Sequence, residues 1–455
     1  MKPLRLIALG SLASALVALA GCVAPIAAER TAQSELAAAE RAYRPAGRPA
    51  ALPVLTAESP LADFVRFAVL KHPQVEAAYA DWRASVASIA PTRALPDPQL
   101  TFEADITDTL MTFMPGLMFD VMTPGKRRAM AQEMTATSDV ARRALVATVL
   151  RTAADVRKAW IELAYATETG RLYGATIETA ERAIALANID YETGRGGMGS
   201  FEKQIRLQNI AAQHHAHHAA VSERVVAARA RFKSALGLAP DDPDPAWPAA
   251  MLALTPLPGR DELWRRASAA NAELGRMRAM VDMAVASVDV ARRAGTPDFA
   301  VGAMADVKAN PVMIRPTATV TLPVWREKIR ANIAAAQARH EAAVSRVDAE
   351  QLNLAAELAQ MLYMVHEAER MLSYIDGTAL PNIDRGIATL EAGVQSGMSS
   401  ATMIAEMQLM AIDMRHERLD MLRDRENAAT DVLLMIADVA PAGTPLLAAT
   451  DSPSP

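Results

Sequence analysis

Four histidines fall within five positions at residues 213–220, in the segment QHHAHHAA, of a chain that holds eight histidines in all. On a helix His214 and His218 stand one turn apart on one face, as do His214 with His217 and His215 with His218. An imidazole pair at that spacing can hold a borderline transition metal such as Cu, Ni, Co or Zn. A structural zinc site needs four ligands and a catalytic one three, and the neighbouring sequence supplies no further donor. The helix around them carries its apolar rhythm through Phe201, Ile205 and Ile210 and resumes it at Val221, Val225 and Phe232. Between Ala211 and Ala220 no large apolar residue occurs, so the four imidazoles sit where the packing stripe lapses. Both a solvated polar patch and a metal-binding His214, His215, His217, His218 set remain open. Met111, Met114, Met118 and Met122 form a second cluster of soft donors suited to Cu(I) or Ag(I), although methionine also fills helical cores.

No other set of residues carries chemistry. The only cysteine is Cys22, and no Ser-His-acid set occurs in a strand-turn-helix setting that would make an enzyme. No cofactor is implied. The turn TGRGGMG, beginning at Thr193, lacks the preceding strand of a phosphate-binding loop and reads as a helix C-cap and reversal.

The elements that must position these residues are long. The 455 residues are 22% charged and only 4% aromatic, with a formal net charge of −5, a composition of helices packed through small side chains. From Gly125 to Ala239 and from Val324 to Leu380 there is no proline. A helix from about Lys126 to Tyr191 would run on the order of 100 Å and needs packing along its length. The chain also repeats at an offset near 200 residues: KHPQVEAAYADWRASVAS with ANAELGRMRAMVDMAVAS, TPGKRRAMAQ with REKIRANIAAAQ, and YETGRGGMGSFEKQ with LEAGVQSGMSSATM. Each repeat reads helix, short hairpin, very long helix, turn, long helix.

The hairpins alternate strictly. Leu100, Phe102, Ala104 and Ile106 interleave with Thr101, Glu103 and Asp105, and Phe299, Val301, Ala303 and Ala305 with Gly302, Met304 and Asp306. Such alternation suits a barrel wall with lipid outside and water inside. Two hairpins cannot close a pore and open edges are not tolerated in lipid, so several chains must contribute to one barrel.

At the N-terminus Lys2 and Arg5 precede an apolar run ending in LAGC at Leu19–Cys22, a secretory signal too short to span a bilayer. Removing it leaves 45 basic against 52 acidic residues, a net charge of −7. An anionic surface of that kind is not built for nucleic acid or anionic lipid headgroups.

These features together resemble the TolC-like outer-membrane efflux family over about residues 61–439. The carriers are the lipobox-like LAGC, the duplicated unit, HPQVEAA with its NAELGRM partner, the proline-bounded hairpins at Pro98 and Pro297, TPGKRRA, LPVWREKIRA, and the turns at Tyr191–Gly194 and Leu390–Gly393. The resemblance implies a mainly α fold with a small β part: long antiparallel coiled-coil helices forming a periplasmic α-barrel, plus two β-hairpins per chain in a shared trimeric transmembrane β-barrel. It divides the chain into a lipoprotein signal peptide (1–21), a lipidated extended leader (22–60), a first repeat (61–238), a Pro-rich linker (239–260), a second repeat (261–439) and a tail (440–455). The implied protein is no enzyme. It is a homotrimeric outer-membrane exit duct, anchored by palmitate at Cys22, that works with a periplasmic adaptor and an inner-membrane RND-type pump and binds no nucleic acid. The lipobox-like N-terminus and LPVWREK look closest to the metal and multidrug exporter branches, and the His and Met enrichment leans mildly toward metal-ion export. The rival reading is a periplasmic coiled-coil scaffold or adaptor lipoprotein without a channel. Family members often carry aspartates after the second turn, where a ring of carboxylates narrows the duct. Here Ser399 and Thr402 stand at those positions, leaving Glu202 and Glu406 as the nearby acids of a gate.

Overall fold

The computed structural model describes residues 24–107, 110–193, 200–248, 251, 253–307, 309, 311–395 and 400–437. The signal peptide, Cys22, the turn residues 194–199, Ser399 and the tail from 438 lie outside them.

A helix α1 (Ala27–Tyr43) is followed by α2 (Leu61–Lys71), α3 (Pro73–Ala87) and a short α4 (Ile89–Arg93). Strands β1 (Gln99–Thr107) and β2 (Leu110–Val121) lead into α5 (Pro124–Glu192), 69 residues long, and α6 (Ser200–Ala235). The second half repeats the order with α7 (Arg260–Ala270), α8 (Ala272–Arg293), β3 (Asp298–Asp306), β4 (Met313–Thr321), α9 (Arg326–Tyr374), α10 (Leu380–Gln395) and α11 (Ala401–Ile436). Pro124 starts α5 at the one helical position where a missing N–H costs nothing. The unbroken alanine-rich run then carries the helix on for about 100 Å.

Pro381 does not break the second long helix. Ile375–Ala379 form a π turn between α9 and α10, and the wider turn takes up the carbonyl that a proline nitrogen cannot satisfy.

The segment read as an extended leader, residues 22–60, is instead helical over 27–43. Its stripe is made of small residues: Ala32, Ala39 and Tyr43 are buried with Leu36 packed beside them. Alanines at that spacing give little apolar signal in the sequence, yet they let α1 lie close to α3 and α5. Glu29, fully buried, pairs with Arg93 at 3.0 Å, and Tyr43 donates to Glu76 at 2.7 Å.

The largest core wraps the middle of α5. Phe64, Tyr79, Trp82, Phe232 and Leu236 are buried there, with Phe64 edge-on to Trp160 at 5.1 Å. The second half packs Leu263, Leu274, Leu354, Leu358 and Val432 together. The linker is pinned by a buried carboxylate: Glu426 accepts from Arg157 at 2.7 Å and from the Thr255 backbone N–H at 3.0 Å. Burial pushes the Glu426 carboxyl up, but the Thr255 N–H and Arg425 outweigh it and hold the group below its usual value.

The four strands form one antiparallel sheet in the order β1-β2-β3-β4. Leu117 lies opposite Leu100 and Ala303, Val301 opposite Phe119 and Ala318, and Phe299 opposite Val121 and Val320. Every one of these residues shares one face. Lys126 ties the start of α5 to Asp298 of β3 at 2.6 Å.

Candidate functional site

The sheet is two-sided in the way a membrane-spanning wall requires. Leu100, Phe102, Leu117, Phe299, Val301, Ile314 and Val320 all stand exposed on one face. The other face carries Thr101, Gly116, Met118, Asp120, Gly302, Met304, Asp306 and Thr317 by register. Apolar side chains gathered on one exposed face make a patch of the kind that meets lipid or another protein. The polar face is crowded. A Cβ at Gly302 would meet the Leu117 carbonyl oxygen at 2.4 Å, and one at Gly116 the Met304 side chain at 2.5 Å. Glycine at both places lets the sheet curl tightly toward its polar side. Within the chain β1 and β4 each keep one unpaired edge.

The helices run away from this sheet, so the C-terminal end of α5 and the starts of α6 and α11 lie at the far end. There Ala180, Ala183 and Ala187 of α5 meet Leu207 and Ala211 of α6 and Ala405 and Leu409 of α11. The seam is built from small residues and is thin. One ion pair bridges the two halves near the turns: Arg206 donates to Glu406 at 2.7 Å. Of the sequence candidates for a gate, Glu406 is thus engaged by a cation, Glu202 is exposed on α6, and Thr402 is buried. Ser399 lies outside the described residues, while Ser400 caps α11 by accepting from the Met403 N–H. Arg206 was not singled out in the sequence, although it lies one helical turn from Glu202.

The histidines separate into two sets. His215 faces Glu181 at 3.3 Å and His218 is exposed. His214 and His217 turn instead toward α5, where Tyr173 stacks on His217 at 5.5 Å and lies 5.6 Å from His214. Against the same tyrosine packs His416 of α11, at 4.4 Å. His214 Nδ1 and His416 Nε2 are buried without a hydrogen-bond partner. Burial lowers the pKa of both imidazoles, with Asp413 opposing the shift in each. The Tyr173 hydroxyl is raised by burial and by Asp420 and Asp413. Three imidazoles and a phenol therefore join α5, α6 and α11, although among the described residues no group of three or more His, Cys, Asp or Glu is placed to hold a metal ion. His416 and Tyr173 were missed in the sequence. The repeat offset pointed to the former, since His416 lies about 200 residues beyond His214 and His217.

No helix among the described residues is long and apolar enough to cross a membrane. Residues 263–438 match the family model described as outer membrane efflux protein. A search of curated protein sequences gives no match. Among solved structures the fold is similar to CusC, whose description concerns transmembrane channel formation, with a TM-score of 0.69 and 15% identity over 86% of this chain and 95% of that one. It is similar as well to the outer-membrane channel OprN (TM-score 0.70, 14% identity, 84% of this chain and 90% of that one). The Campylobacter jejuni CmeC outer membrane channel gives a TM-score of 0.67 at 12% identity, over 87% of this chain and 91% of that one. Residues 263–438 are therefore similar to the outer membrane efflux protein family, and the chain as a whole has the same fold as these outer-membrane channels.

Proposed function

We propose that the protein is the exit duct of a tripartite efflux system, a homotrimer whose subunits each give four strands to one outer-membrane barrel. The observation that carries this is the sheet: an apolar face turned to the outside, a polar face curled inward, and an open edge on both β1 and β4. An open edge cannot stand in lipid, and three copies of this four-stranded sheet give twelve strands, enough to enclose water. The long helices then continue the passage into the periplasm, where the thin seam at their far end closes it and meets an adaptor delivering cargo from an inner-membrane pump. The duct performs no chemistry. Cys22, following LAG, anchors the chain to the outer membrane by lipid.

We infer a mild preference for metal ions as cargo. The three-helix His214, His217, His416 cluster and the methionines near the first hairpin support that reading, since imidazole and thioether suit Cu, Ag, Ni, Co and Zn better than organic compounds.

A deletion strain tests both levels. Complementation with the wild type or with His214, His215, His217 and His218 all changed to Ala is compared across copper, silver, cobalt, nickel, zinc and several lipophilic drugs. Metal-selective sensitivity that the quadruple variant fails to rescue supports metal export. Full rescue keeps the duct and removes the histidines from its function, and a deletion sensitive to nothing sinks the duct in favour of a scaffold.

A further inference from the structure

The chain as a whole is anionic, but its charge is not evenly spread. Where the sheet meets the helices, residues 89–98, 122–131, 289–297 and 322–331 hold nine basic side chains against three acidic ones. Lys126 is engaged by Asp298 and Arg93 by Glu29. Among the described residues no carboxylate pairs with Arg127 or Arg128, on the first turns of α5.

Arg127 is the unusual member. Its Nε and Nη1 are buried and have no hydrogen-bond partner. A guanidinium carries five donors and cannot shed its charge, so two of them buried without a protein partner leave room for water or an anion to accept from them. Beside Arg127 is a cavity of about 70 Å³ lined by Ala24, Ile26, Arg93, Pro124, Arg127 and Arg128. It has room for several waters or one small tetrahedral anion. The start of a 69-residue helix adds its positive end to the same place.

The level of this cavity identifies the ligand. Val121, the last residue of β2, and Val320 of β4 still carry the exposed apolar face of the sheet, and Arg127 follows within two turns of chain. Trp325 is 76% exposed at the matching junction of the second repeat, the place where aromatic side chains mark a membrane-water boundary. Ala24 and Ile26, which close the cavity, lie just past Cys22.

We propose that the Arg127 cavity binds the phosphate of an anionic phospholipid in the periplasmic leaflet, with Arg127 and Arg128 as the recognising cations and Arg93 as a further wall. The site rests on the barrel reading above, because only a membrane-embedded sheet brings headgroups to this height. Each subunit has one, so a trimer holds three lipids around its base. A bidentate guanidinium contact fits a phosphate better than an ammonium can.

The test uses the full chain purified in mild detergent, with native mass spectrometry reading retained lipid after exposure to dioleoylphosphatidylglycerol or dioleoylphosphatidylcholine. Phosphatidylglycerol is expected to be retained over phosphatidylcholine, and Arg127→Gln to lose about tenfold of that retention. Arg127→Lys keeps the charge and should lose part of it, which covers the case in which Arg127→Gln fails to fold. Equal retention of the two lipids by the wild type, or no loss in either variant, overturns the site. Displacement of the lipid by millimolar inorganic phosphate overturns the lipid assignment and makes this a free-anion site. Heat-resistant trimers on denaturing gels are read alongside: their absence in the wild type sinks the barrel, whereas their presence without selective retention sinks only the lipid site.

Discussion

The Arg206–Glu406 pair is the one described ion pair that ties the two repeats together at the far end, and in the proposed duct neutralising it should loosen that end. The contact is 2.7 Å, with the arginine side chain 58% and the glutamate 31% exposed. A pair so open to water is worth about 0.5 kcal/mol, roughly a twofold change in an opening equilibrium. Three copies that open together multiply the effect, giving about 1.5 kcal/mol and about a tenfold rise in the open fraction. Glu406→Gln and Arg206→Gln should each produce it, and both together should add little more, because either one already removes the attraction. The charge-reversed double variant Arg206→Glu with Glu406→Arg should close the duct again. The assay is single-channel conductance of the purified trimer in planar bilayers at about 0.1 M salt, repeated at about 1 M, where screening should shrink the difference. Unchanged conductance in both single variants, or a charge reversal that opens the duct further, would refute the idea that this pair holds the end shut.

Two further outcomes follow from groups already described. Burial holds His214 and His416 below the usual 6.5, against the pull of Asp413 and, at His416, Asp420. Between those lowered values and about 6.5 the unfolded chain binds more protons than the folded one, so stability is full above that window and falls as pH drops through it. Thermal unfolding from pH 7.5 to 5.5 should show this decline, and replacing both residues with Gln should reduce it, leaving the part owed to His72, whose pKa burial also lowers; an equal decline in the variant removes the cluster as a source. In the sheet, Gly302→Ala drives a Cβ into the Leu117 backbone oxygen, whereas Gly116→Ala meets chiefly side-chain atoms, Met304 Cγ and Thr101 Oγ1, which can turn aside. The former should abolish heat-resistant trimers and the latter only reduce their yield, and equal yields would mean that the curl does not depend on Gly302.

Much of the fold was legible because its signals are long or repeated. The proline-free run and the Gly-rich turn that ends it placed α5 within two residues at its start and one at its end, since nothing between Gly125 and Thr193 opposes a helix. The alternation of Leu100, Phe102, Phe299 and Val301 gave the face of the sheet, because a period of two leaves no other choice of side. The helix α1 was missed for the opposite reason: Ala32 and Ala39 seal it with methyl groups that no apolar pattern registers. The π turn that accommodates Pro381 has no mark in the sequence. At the histidines the sequence showed four residues in one segment, while packing kept two of them and brought Tyr173 and His416 from elsewhere. Which faces of α5, α6 and α11 turn toward one another is a tertiary fact. Helical spacing alone does not contain it.

The open edges of β1 and β4 also bear on how variants behave in a cell that makes two forms of the chain. The edges are different strands, so in the proposed trimer each subunit offers one to the neighbour ahead and the other to the neighbour behind, and the ring closes only when every joint is sound. A subunit spoiled at a single edge still joins on its good side and carries two normal partners into a ring that cannot close. With equal amounts of the two forms only about one ring in eight is wholly normal. Edge lesions should therefore be inherited as dominant poisons, whereas lesions that unfold the subunit, and so keep it out of the ring, should be recessive.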